Sequence, residues 1–283
     1  STFKIFTAAT SLEKGLANPQ TIIDTTPFKW NRKTYKDYKN YGPTNSVEDI
    51  IMKSSNVGTI RMALAAGTTA QKKTLNDLGF FEAVPVELGE ASRTKPQIPK
   101  NWSDTSTITI SFGHGISATP LHLATAYSIV ANGGFRVKPT IKKVNSNNLA
   151  KEKVISQKTS QQLISMLRRV VSEVDGTAKM AKVDGYQVAG KTGTAEKIKP
   201  TGGYYDKKVI ATFASFFPAS NPKYTLVVSL DEPEIEVLGE SRRTAGFTAV
   251  PVAAEIITRV APILNLRPIA TDDAMAYTSI SSQ

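Results

Sequence analysis

The last third of the chain changes character, and that change limits what the chain can build. Tyr186–Thr194, Val209–Phe217 and Tyr224–Leu230 read as strands joined by turns rich in Gly, Asn, Pro and Lys. Strands that follow one another through short loops pair antiparallel. Thr248–Leu264 then reads as an amphipathic helix, with Pro251 in the first turn, where proline is tolerated. Upstream the pattern is mostly helical. Ile5, Ala9, Leu12 and Leu16 recur at helical spacing across residues 1–16, with Gly15 near the stop. Residues 17–43 are irregular. Asn45, with Glu48 three residues on, reads as the cap of a short helix to Lys53. Val57–Ala66 and Thr69–Leu78 read as two more helices, the second closed by Gly79. Residues 80–107 lack periodicity and read as a long surface excursion. Thr119-Pro120 is a cap followed by a first-turn proline, opening a helix that ends at Asn132-Gly133-Gly134. Residues 135–155 read as a strand and a polar loop. Thr159 with Gln162 opens a helix to about Val174. Residues 268–283 read as a loose polar tail.

Composition narrows the chemistry. The chain has 283 residues, enough for one large domain or two small ones, and is 40% hydrophobic. No apolar run reaches the ~18 residues of a membrane span. With 0 cysteines, disulfides, thiolate catalysis and zinc-thiolate sites are excluded. His114 and His122 are the only histidines, and without further ligands they read as structural. No metal or other cofactor is called for. The net charge of +11 is carried by scattered lysines, with no nucleic-acid-binding motif. It suits work near an anionic polymer or lipid better than it suits nucleic acid.

Three short motifs carry the chemistry. Ser1-Thr2-Phe3-Lys4 is S-x-x-K, Ser54-Ser55-Asn56 is S-x-N, and Lys191-Thr192-Gly193-Thr194 is K-T-G-T. On one helix, three residues of separation put Ser1 and Lys4 on the same face, one turn apart. A neutral Lys4 amine can take the Ser1 proton; an ammonium cannot. The lysine pKa, ordinarily far above neutrality, must therefore fall, through burial or a second cation. Two unit charges ~4 Å apart at an effective dielectric of ~20 repel by roughly 4 kcal/mol, and Lys191 is the natural second cation. Ser54 and Asn56 point the same way only in a loop or extended turn, for which a short helix before them and another after them leave room. There Ser54 can relay a proton and Asn56 can hold a substrate amide. In K-T-G-T, Gly193 removes a side chain where a ligand backbone must approach. The Thr192 and Thr194 hydroxyls, with Lys191 behind them, suit a carboxylate. The backbone N–H groups of Thr194 and Ser1 can serve as oxyanion donors.

Each motif also has a plain structural reading. S-x-x-K recurs at Ser11–Lys14 and Ser92–Lys95, and the plain reading of an isolated match is a solvated helix face. Ser and Asn are common helix caps. K-T-G fits a hairpin turn, although a turn leaves the Thr-x-Thr alternation unexplained.

Taken in order, the three motifs resemble those of the penicillin-interacting serine acyltransferases. The flanking segments Ser54-Ser55-Asn56-Val57-Gly58, Phe112-Gly113-His114-Gly115, Thr119-Pro120-Leu121, Ala126-Tyr127, Asn132-Gly133-Gly134 and Val188–Ala195 are similar to class B penicillin-binding proteins, the septal type above all. The resemblance runs from about Ser1 to Pro268. It implies an α/β (α+β) fold, an antiparallel central sheet flanked by helices, shared with serine β-lactamases, over a transpeptidase domain of residues 1–267. It implies D,D-transpeptidation of peptidoglycan stem peptides, with Ser1 acylated, Lys4 as base, Ser54 and Asn56 in proton transfer and positioning, and Lys191 tuning the site. Thr192, Gly193 and Thr194 would hold the substrate, and β-lactams would acylate Ser1. Implied partners are a lipid-linked precursor, a division glycosyltransferase and divisome proteins, at the periplasmic face of a bacterial inner membrane.

The same resemblance places a strand, a pedestal and a membrane anchor upstream of S-x-x-K. Where the family often shows G-G-x-x-A-A-P, this chain has Ala245-Gly246-Phe247-Thr248-Ala249-Val250-Pro251, a looser match. A serine β-lactamase, a D,D-carboxypeptidase, a penicillin sensor without turnover, and an N-terminal-nucleophile hydrolase remain alternatives at this level.

Overall fold

Helix α1 (Lys4–Glu13) turns no face to water until its last two residues. Lys4 to Ser11 are all buried, so the helix is packed from every side. It forms the centre of the first of two units, Ser1–Leu167 and Arg168–Gln283, into which this computed structural model divides; residues 1–145 and 149–269 are described. The helix is shorter than expected, because it stops before Gly15, which takes φ +65.

Around α1 pack α2 (Val47–Lys53), α3 (Asn56–Ala66), α4 (Thr68–Asp77) and α5 (Asp104–Ser111). Ile5, Phe6, Ile50, Ile51, Ile60 and Ile108 form much of the shared interior. Phe3, Phe6, Phe80 and Tyr127 add an aromatic cluster with ring centroids 4.7–5.6 Å apart. Residues 17–43 are more ordered than their composition suggests. They hold β1 (Ile22–Asp24) and the hairpin β2–β3 (Phe28–Trp30, Lys33–Tyr35), and β1 pairs antiparallel with β4 (Thr44–Ser46).

Three boundaries move for clear reasons. The cap of α2 is Ser46, whose Oγ accepts from Asp49 N. Asn45 is engaged elsewhere: it donates to Thr25 Oγ1 and Tyr41 O and accepts from Lys53 Nζ. The stretch 80–107 is not wholly a surface excursion. Phe80, Val84 and Ala91 are buried, and α5 begins at Asp104 behind a Ser103–Ser106 capping box. Helix α6 (Pro120–Ala131) starts on its Thr119 cap and ends at Asn132, as expected. β5 (Phe135–Val137) pairs with β6 (Lys151–Lys153); residues 146–148 of the expected loop lie outside the described residues. Helix α7 (Gln157–Ser172) begins earlier than expected, because Ser156 Oγ accepts from Thr159 N.

The second unit holds the strands read from the sequence. β7 (Ala189–Ile198), β8 (Tyr204–Phe217) and β9 (Tyr224–Asp231) form an antiparallel sheet in that order. Thr192 faces Phe213 and Thr194 faces Ala211 across the ladder. β7 begins three residues later than expected and runs past Thr194 to Ile198. A small hairpin, β10–β11 (Ile235–Val237, Glu240–Arg242), follows. Helix α8 (Ala249–Ile263) buries Ala249, Ala253, Ile257 and Ala261, one residue per turn, against β8 and β9. Of the expected tail, Ile269 N donates to Gly185 O, and residues 270–283 lie outside the described residues.

Candidate active site

Ser1 sits just ahead of α1, and its carbonyl accepts from Lys4 N at 3.3 Å. Ser1 and Lys4 are therefore one turn apart, in the geometry that S-x-x-K requires. Two neighbours fix this end of the helix. Tyr127 Oη donates to Thr2 O at 2.9 Å, and both residues are buried. Burial also pushes the Tyr127 phenol well above its ordinary pKa. Gly113, at φ +86, lies so close that a Cβ there would meet Ser1 N at 3.2 Å and Phe3 Cβ at 3.4 Å. The Phe112–Gly115 loop therefore needs glycine against the backbone of Ser1.

Lys4 is 1% exposed and reaches the S-x-N motif. Its Nζ donates to Ser54 O at 2.5 Å and to Ser54 Oγ at 2.9 Å. Ser54 is presented by an unusual turn. It ends α2 in the left-handed conformation, φ 65 and ψ 42. Asn56, two residues on, is the first residue of α3. The junction between the helices is therefore Ser54-Ser55, left-handed and then extended, rather than an extended turn through Asn56. The first unit thus gathers Ser1, Lys4, Ser54 and Asn56 around one helix start and one interhelical junction.

The second unit carries Lys191, Thr192, Gly193 and Thr194 on β7, the edge of its sheet among the described residues. Lys191 is fully buried, and its Nζ donates to Thr192 O at 3.3 Å. Burial lowers its pKa from the ordinary 10.5 to about 7, so near neutral pH it is about half charged. The strand is packed too tightly for any side chain at Gly190. A Cβ there would lie 2.6 Å from Ala214 O and 2.7 Å from the Phe213 ring. Thr192 Oγ1 shares a 2.7 Å hydrogen bond with Thr177 Oγ1. Thr194 Oγ1 accepts from Ala245 N at 3.0 Å, a bond that does not use the hydroxyl's own hydrogen. Ala245 belongs to the segment where the family pattern is loosest.

Sequence reasoning missed Thr177 and the residue that supports the Ser54–Asn56 junction, since both act across gaps in sequence that no local pattern marks. His122 is a structural group, bonded at Nδ1 to Thr119 Oγ1 and at Nε2 to Glu82 O. Among the described residues no group of three metal-binding side chains converges, and no helix is long and apolar enough to cross a membrane.

A family model of the penicillin-binding protein transpeptidase domain matches residues 1–258. The chain belongs to this family. Among penicillin-binding protein relatives, it is 33% identical over 275 residues to the probable peptidoglycan D,D-transpeptidase FtsI of Caulobacter vibrioides, covering 94% of this chain and 46% of that protein. The chain spans rather less than half the length of such curated relatives. Among solved structures, it is similar to the transpeptidase domain of penicillin-binding protein 3 from Burkholderia pseudomallei. The TM-score is 0.85 at 31% identity, over 94% of this chain and 79% of that one. Penicillin-binding protein 3 of Mycobacterium tuberculosis, solved in complex with aztreonam, gives a TM-score of 0.82 at 29% identity, over 95% of this chain and 63% of that one. The mixed helix-and-strand fold with its antiparallel sheet is thus that of penicillin-binding protein transpeptidase domains, as the motifs implied.

Proposed function

We propose that this chain performs peptidoglycan D,D-transpeptidation through an acyl-enzyme on Ser1. The observation that carries the reading is the Lys4 contact with Ser54. A neutral amine can give two N–H bonds to Ser54 O and Oγ while presenting its lone pair to a serine hydroxyl. In this reading the Ser1 oxygen attacks the carbonyl of the penultimate D-alanine as its proton passes to Lys4. Collapse of the oxyanion breaks the D-Ala–D-Ala amide. Ser54 relays a proton to the departing amine, and free D-Ala leaves. An amine on a neighbouring strand then attacks the ester and restores Ser1. Asn56 orients the substrate amide, and Lys191 tunes the electrostatics of the site.

The edge position of β7 suits an extended peptide, whose backbone can pair along Gly193–Thr194. The Thr194 hydroxyl, whose oxygen accepts from Ala245 N and whose hydrogen can still donate, fits, with Thr192, the terminal carboxylate of the stem peptide. β-Lactams mimic that terminus and acylate Ser1. The relatives named FtsI and penicillin-binding protein 3 support a septal role, and the place of work in this reading is the periplasmic face of the inner membrane. There a lipid-linked precursor, a division glycosyltransferase and divisome proteins are the expected partners.

Labelling of the full-length protein with a fluorescent penicillin tests the assignment. Wild type takes the label covalently and holds it, while Ser1→Ala takes none and Lys4→Ala almost none. Persistent label on Ser1→Ala would show that the nucleophile is another residue. Rapid release of the label would make the protein a β-lactamase instead.

A further inference from the structure

The Ser54–Asn56 junction does not hold itself together. A left-handed serine is followed at once by a new helix, and the first backbone N–H groups of that helix need acceptors. Ser55 supplies one, its Oγ accepting from Gly58 N at 3.0 Å. The others come from a residue 18 positions upstream of Ser55. Asp37 Oδ1 accepts from Asn56 N at 2.5 Å and from Val57 N at 3.0 Å, and Asp37 Oδ2 accepts from Ser55 Oγ at 2.6 Å. One carboxylate therefore receives three donors from three successive residues, two of them in the S-x-N motif. Its negative charge also lies at the positive end of the α3 dipole.

We infer that Asp37 is a positioning residue for acyl transfer. Three bonds to one rigid group fix the direction in which the chain leaves Ser54. That direction sets where the Ser54 carbonyl and hydroxyl meet Lys4, and where the Asn56 side chain leaves α3. Without Asp37 the α3 start frays, the left-handed turn at Ser54 relaxes, and Lys4 loses its two acceptors. Asp37 touches neither Ser1 nor any reacting atom in this scheme. Nothing in the local sequence marks it: Tyr35-Lys36-Asp37-Tyr38 lies in the stretch that reads as irregular.

The inference rests on the acyl-transfer reading, and its test separates the two. The full-length protein is prepared as wild type, Asp37→Ala, Asp37→Asn and Ser1→Ala. Each is titrated to its end point with a fluorescent penicillin, which gives the fraction of reactive sites. The acylation rate per reactive site is then followed across pH, beside a thermal melt. Asp37→Ala should acylate roughly ten- to a hundredfold more slowly per reactive site, with an altered pH profile. Asp37→Asn keeps the shape and an oxygen for the backbone amides, and should fall between Asp37→Ala and wild type. Should Asp37→Ala fail to fold, Asp37→Asn carries the same comparison. Variants that lose reactive sites or melting temperature, but whose remaining sites react at the wild-type rate and pH profile, would reduce Asp37 to a scaffold residue and overturn the inference. Label that survives Ser1→Ala would instead strike at the acyl-transfer reading.

Discussion

Replacing Lys191 by Met should make the protein more stable and remove its activity at once. Lys191 is fully buried, and burial alone lowers its pKa from 10.5 to about 7. At about 1.4 kcal/mol per tenfold change in proton affinity, that interval corresponds to about 5 kcal/mol of stability withheld from the folded state. The direction follows from where the proton resides. Between pH 7 and 10.5 the unfolded chain keeps the Lys191 proton and the folded chain gives it up, so stability climbs as pH rises through this window. Below about pH 7 both states hold the proton and the full penalty is present. Methionine fills similar space without a charge. It leaves the Thr192 carbonyl without its 3.3 Å donor, which costs about 1–3 kcal/mol. The net gain at pH 7 is therefore about 2–4 kcal/mol. Urea unfolding of wild type and Lys191→Met at pH 6, 7, 8 and 9 measures it. Wild type should gain stability across the upper part of that range, and the variant should hold level from the same cause. Parallel curves, or a variant weaker than wild type at pH 6, would refute the claim that Lys191 is held as a desolvated amine.

Two further substitutions probe the backbone around the motifs. Ser54→Gly and Ser54→Ala both remove the hydroxyl that meets Lys4 and should lose acylation alike; but at φ 65 the glycine variant should be about 1 kcal/mol more stable, because alanine keeps the Cβ penalty there. Equal melting temperatures would count against strain at that turn. Gly190→Ala drives a methyl into Ala214 O and the Phe213 ring, which should cost roughly 1–3 kcal/mol and slow acylation by shifting β7; wild-type melting and rate would mean that the strand has slack.

The parts of the fold that could be read from the sequence were those whose signals are local. Helix α6 declared itself through Thr119-Pro120 and Asn132-Gly133-Gly134, because caps and stops are written in adjacent residues. The β7–β9 sheet was legible because short loops leave only antiparallel pairing. Helix α5 hid because its two buried isoleucines, Ile108 and Ile110, stand only two residues apart among threonines and serines, so no apolar stripe at helical spacing marks it. The motifs themselves were visible as residue types in order. What supports them was not, since Asp37 meets Ser55, Thr177 meets Thr192 and Ala245 meets Thr194 only once the chain has folded.

Helix α1 is buried from Lys4 to Ser11, so it carries Lys4 within the interior of its unit. Reactivity and foldedness are consequently one property in this unit. Side-chain volume lost at Ile60 or Phe80 loosens the same interior that holds Lys4. Evolution can redraw exposed positions with little penalty, but any loosening of this interior should lower the melting point and slow the proposed acylation together.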